Sequence, residues 1–95
     1  MDAIQFNKQL DSELLATGCV TKDLYFRLAD AYGYDAATSV GWVEAKLRVL
    51  AKRLATGAPL TLYIPQDGSS IQCTSIGALQ SWASALFPGV EVASA

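Results

Sequence analysis

Apolar residues recur every three or four positions along most of the chain, and one stretch switches to strict alternation. The first spacing belongs to helices with one buried face, the second to a strand. Ile4, Phe6, Leu10, Leu14 and Leu15 fall on a broad arc at about 100° per residue, which predicts a first helix ending near Thr17. Asp2 and Gln5 have capping-box spacing at its start, and Gly18 suits the left-handed stop at its end. Thr21 with Asp23 opens a shorter helix through "KDLYFRLADAY". Leu24, Leu28, Ala31 and Tyr32 share one face of it, Phe26 points the other way, and Gly33 ends it.

A third helix, beginning near Asp35 or Thr38, carries Val40, Val43, Leu47, Leu50 and Leu54 as a continuous stripe. Gly57 follows it and Pro59 prevents its continuation. "PLTLYI" then alternates, with Leu60, Leu62 and Ile64 on one side and Thr61 and Tyr63 on the other. Ile71 and Cys73 continue the apolar side in a return strand, and "PQDG" supplies the chemistry of a short hairpin loop. Thr74 or Ser75 caps a last helix whose Ile76, Leu79, Trp82, Ala83, Leu86 and Phe87 form an apolar face before "PG". "VEVASA" reads as a short terminal strand or a tail.

These elements predict an α+β fold of about four helices and one β-hairpin. At 95 residues the chain has the length of one domain, enough to bury roughly 60 to 65% of its unfolded surface. Its 52% hydrophobic and 17% charged residues place it among folding chains rather than disordered ones. A net charge of −2 removes any general attraction to nucleic acid. Cys19 and Cys73 are far apart on segments that read as buried, so free, packed thiols and a reducing compartment are expected. No run approaches the about 18 apolar residues that span a bilayer, and a basic start followed by an apolar run is missing. A soluble protein without a signal peptide is the expectation.

With no histidine and two separated cysteines, zinc sites and histidine-based acid–base or nucleophilic machinery are excluded. The carboxylates are scattered over caps, turns and solvent faces, and no glycine belongs to a phosphate-cradling loop with its lysine. No catalytic residue, cofactor site or metal site is therefore expected, and the chain does not read as an enzyme.

The third helix also bears a second stripe. Trp42 and Val49 lie about 180° from the main apolar row, flanked by Lys46, Lys52 and Arg53. Two readings compete: another helix packs there with the basic stems covering its edges, or Trp42, Lys46, Val49 and Arg53 meet a partner. A DNA-binding reading rests on "LADAYGYDAATSVGWVEAKL", which follows helix-turn-helix spacing. The would-be recognition helix opens with Asp35, Ala36, Ala37, Thr38 and Ser39 and offers phosphates no cation. DNA binding is accordingly the weakest of the functional readings.

"VEAKLRVLAKRLATGAPLTLYIPQDGSSIQCTSIGALQSWASAL" resembles the phage lambda gpW-type head–tail joining proteins. The shared features are a leucine- and alanine-rich helix ending at Thr56-Gly57, a hairpin turning at Asp67-Gly68, and a helix opening at Thr74-Ser75. The resemblance covers about half the chain. It implies a virion structural protein: a connector or neck subunit that forms a ring below the portal and meets portal or neck proteins, in the virion or the host cytoplasm. Residues 38–87 would then be the helix-hairpin-helix core, with 1–37 adding N-terminal helices to a single domain, 1–95. On this reading both flanking helices pack on Leu60, Leu62, Ile64, Ile71 and Cys73, because a lone hairpin is marginal. Thr61, Tyr63, Gln66, Asp67 and Gln72 are left for neighbouring subunits. The terminal "EVASA" departs from the polar, basic tail of that family. The alternative is a small phage-encoded inhibitor, an anti-CRISPR or other anti-defence protein, that binds a host protein.

Overall fold

A computed structural model of the chain describes residues 3–33 and 37–90. Four helices and three strands follow one another as α1 (Ala3–Thr17), β1 (Cys19–Val20), α2 (Lys22–Gly33), α3 (Ala37–Ala55), β2 (Leu60–Ile64), β3 (Ser69–Cys73) and α4 (Ile76–Leu86). The fold is α+β. Asp2 of the expected capping box and Glu91 to Ala95 of the terminal segment lie outside the described residues.

Local chemistry sets most of these boundaries. α1 stops at Gly18, whose φ of 62° only glycine adopts freely and whose N–H donates to the Leu14 carbonyl. The Thr21 hydroxyl accepts from Leu24 N–H and opens α2. α3 ends as Thr56 and Gly57 N–H turn back to the Arg53 and Leu54 carbonyls. Ser75, with extended backbone, caps α4 by accepting from Ala78 N–H.

β2 and β3 form the expected antiparallel hairpin, in a register that pairs Leu60 with Cys73, Leu62 with Ile71 and Ile64 with Ser69. The sheet holds one strand more than expected. It comes from the N-terminal side: β1 pairs with β2 in parallel, Cys19 opposite Thr61 and Val20 opposite Leu62. The strand order β1-β2-β3 puts β2 in the middle and leaves β3 at an edge. Two residues are too short to show a period, so only their position after the Gly18 stop gives this strand away.

α3 is the hub, touching α1, α2, α4 and β2. Its Val43, Leu47, Leu50 and Ala51 join Leu14, Val20, Leu24, Leu28, Leu60, Leu62, Leu79 and Phe87 in one buried cluster. The first 33 residues thus build the same core as the hairpin. Each fully buried leucine or phenylalanine contributes about 1.5–3 kcal/mol relative to exposure. Phe87 gathers the aromatic residues, with the rings of Tyr25, Tyr32 and Trp82 within 6.3 Å of its own. The Tyr32 hydroxyl donates to the Pro88 carbonyl and ties the end of α2 to the turn after α4.

Burial corrects two expectations. Phe6 and Leu15, placed on the apolar arc of α1, are 39% and 46% exposed, because that arc is wider than the strip α3 covers. On the hairpin Leu60, Leu62 and Cys73 are buried as expected and Ile64 is half-buried, but Ile71 is 44% exposed. The core closes over the Leu60–Cys73 end of the ribbon and leaves its turn end open.

Candidate functional site

Two surfaces stood out in the sequence, and the structure treats them differently. The second stripe of α3 faces α1. The indole N–H of Trp42 donates to Asn7 Oδ1 at 2.7 Å, and Lys46 Nζ donates to Asp11 Oδ1 at 2.5 Å. Lys46 is only 3% exposed while its partner carboxylate is 40% exposed, and the ammonium lies 5.4 Å from the centre of the Trp42 ring. Val49 packs, half-buried, against the core.

Arg53 completes the stripe by donating from Nη1 to the Leu15 and Ala16 carbonyls at 2.8 and 3.0 Å, and from Nε to the Pro59 carbonyl at 2.9 Å. A guanidinium at these carbonyls supplies donors to the orphan acceptors of a helix end and opposes the negative end of its dipole. Of the two readings of this stripe, the structure shows the packing one, with Trp42, Lys46, Val49 and Arg53 set against α1, the core and the strand connection. The polar groups of Trp42, Lys46 and Arg53 bond to α1 and the strand connection.

The hairpin residues divide. Thr61, Gln66, Asp67 and Gln72 are exposed. Tyr63 is half-buried: its carbonyl accepts from the Trp82 indole N–H at 3.0 Å and its ring centre lies 5.4 Å from that of Tyr25. It belongs to the packing of α2 and α4 on the sheet more than to a free face. At the turn Asp67 Oδ1 accepts from Ser69 N–H at 2.9 Å and from the Ser69 hydroxyl at 2.6 Å. These bonds, the hydroxyl first, hold the Asp67 carboxyl below its ordinary range. Gly68, at φ 74°, closes the loop.

Between the open end of the hairpin and α4 lies a groove of about 350 Å³, lined by Ile64, Gln66, Ile71, Trp82, Ala85 and Leu86 among others. Its wall is apolar. From Gly68 to Val90 the chain carries no Asp, Glu, Lys or Arg, so β3, α4 and the surface they present are free of charged side chains. Depletion of charge around an aromatic and aliphatic centre is the compositional mark of a protein-binding patch. The uncharged run was visible in the sequence. The opening was not, because Ile71 obeys the alternation that predicts burial.

A second cavity, of about 460 Å³, sits between α1 and the start of α2 and is lined by Leu10, Glu13, Leu14, Thr17, Cys19 and Leu24 among others. Its polar lining consists of the Glu13 carboxylate, the Cys19 thiol and the hydroxyls of Thr17 and Thr21. Cys19 is half-buried and Cys73 buried, both free, with the Cys73 thiol donating to the Ser75 carbonyl. Among the described residues no three His, Cys, Asp or Glu side chains converge as metal ligands, and no helix is long and apolar enough to cross a membrane. No protein-family model, curated protein or solved structure matches the chain.

Proposed function

We propose that this chain is a non-enzymatic assembly subunit of the head–tail connector kind, which acts by seating its hairpin and the adjoining α4 groove against neighbouring proteins. The observation that carries this reading is the groove itself. It is an apolar, charge-free recess holding a 44% exposed Ile71, set beside the exposed polar tip Gln66–Asp67. An isoleucine left open amid aromatic and aliphatic neighbours gains by being covered, and a polar rim around an apolar centre is how protein interfaces are arranged. The order α3, β2, β3, α4 supports the connector form of the reading, since it keeps the helix-hairpin-helix layout on which the resemblance rests.

Size-exclusion chromatography with light scattering, on the protein alone and mixed with a purified portal ring, tests this function. Assembly into a ring, or stoichiometric attachment to the portal that Ile71→Glu abolishes, is the expected result. A monomer that ignores the portal and instead forms a defined complex with a purified host defence enzyme would replace the connector with an inhibitor.

A further inference from the structure

Among the described residues four large hydrophobic side chains are strongly exposed, one on the hairpin and three on the first two helices. Ile71 lines the α4 groove, while Phe6 and Leu15 lie on α1 and Phe26 on α2. Phe26 is 49% exposed and stands edge-on to Tyr25, with ring centres 5.2 Å apart. The next residue, Arg27, places its guanidinium 5.2 Å from the Phe6 ring centre and so bridges α2 to α1. The chain thus offers a protruding aromatic beside a positive charge on one element pair and an apolar recess on another. Asp67, which follows the groove-lining Gln66, sets a formal charge next to the recess. Asp67 is fully exposed and remains a carboxylate through the neutral range.

We infer that a second copy of this chain occupies the groove, placing its Phe26 among Ile64, Ile71, Trp82 and Leu86 with its Arg27 toward Asp67. The contact joins unlike surfaces, the α2 knob of one copy and the groove of the other. A pairing that set recess against recess would leave both unfilled and forfeit the dispersion contacts of their walls. A knob and a hole on different elements are all satisfied when every copy gives one and receives one, either reciprocally in a two-fold dimer or head-to-tail in a ring or filament. An inserted phenyl ring brings about 150–250 Å² of side-chain surface to the recess. Closure into a ring rests on the connector reading. The Phe26-to-groove contact does not.

Two single variants decide it, Phe26→Asp with the knob removed and Ile71→Glu with the hole spoiled. Both positions are exposed enough to accept the change, and far-ultraviolet circular dichroism and thermal melts on each variant establish that the fold is kept. In sedimentation velocity at increasing concentration the wild type assembles, and each variant alone assembles about 30-fold less tightly. Mixed in equal amounts, the two variants form a 1:1 dimer that grows no further, because one intact knob and one intact hole remain. A mixture that stays monomeric overturns the inference. So does a Phe26→Asp protein that assembles like the wild type while Ile71→Glu does not, which would mean pairing through the β3 edge. Wild-type protein that chains in this way but ignores the portal would sink the connector reading alone.

Discussion

The Arg53 guanidinium occupies the space into which a side chain on Gly18 would project. A Cβ built at Gly18 runs into Arg53 Nε and comes within 2.8 Å of the Pro59 carbonyl oxygen, and the backbone there has φ 62°. Gly18 N–H closes α1 while its carbonyl accepts from Thr61 N–H at 2.7 Å. One small residue therefore lets helix end, sheet and guanidinium meet.

Gly18→Ala is expected to destabilise the protein by about 2–4 kcal/mol, combining left-handed backbone strain with displacement of charge-assisted hydrogen bonds. Urea denaturation measures this. In an Arg53→Ala background the same change should cost clearly less, because the obstructing group has gone. Equal costs in the two backgrounds would show that the two residues do not compete for the space.

The Lys46–Asp11 pair has one buried and one half-open partner, so its two ends should respond unequally. Asp11→Ala strands a buried ammonium and is expected to cost about 1–3 kcal/mol. Adding Lys46→Met to that variant should recover most of the loss, since an apolar side chain of similar length needs no counter-charge. Thermal melts of the two variants and the wild type check the order. A double variant less stable than Asp11→Ala would refute it.

The Asp67 carboxyl is held below its ordinary value by the hydrogen bonds it accepts from Ser69. Its bonds from Ser69 favour the ionised form, so what they add to the hairpin turn is fully present above the ordinary carboxylate value of 3.8. It is lost as the pH falls further, through Asp67's own lower value. An NMR titration should place the Asp67 midpoint below 3.8, and Ser69→Ala should move it upward. A midpoint unmoved by that substitution would assign the shift to something other than Ser69.

Leu62 and Ile71 face each other across the hairpin, one buried and the other 44% exposed. Leu62→Ala should cost about 2–5 kcal/mol by emptying core volume. Ile71→Ala should stay within about 1 kcal/mol. Chemical denaturation of both variants gives the comparison, and similar losses would mean that Ile71 is covered in the isolated chain.

Periodicity read the helices well because α3 imposes it: residues that touch the hub must return every three or four positions. Alternation likewise exposed β2, the central strand. What it could not supply was the extent of cover over each face, which depends on where neighbouring elements end. Ile71 and Phe6 obey their patterns and still reach solvent. The second stripe of α3 shows the converse. Trp42, Lys46 and Arg53 form a row whose composition suits an interface, and its partner is the chain's own α1, whose Asn7 and Asp11 give no periodic signal of their role. Of the candidate surface, the hairpin tip was legible and the groove beside it was not, since the groove depends on how α4 lies against the turn end of the hairpin.

The parallel step between β1 and β2 joins strands separated in sequence by two helices. A hairpin closes over four turn residues, Pro65 to Gly68, whereas the β1–β2 pairing must close a loop that contains α2 and α3, at a higher cost in chain entropy. The Thr61 amide, held by Gly18, should then exchange with deuterium only in openings that dismantle the N-terminal half, which makes that single proton a gauge of whether the whole molecule is assembled.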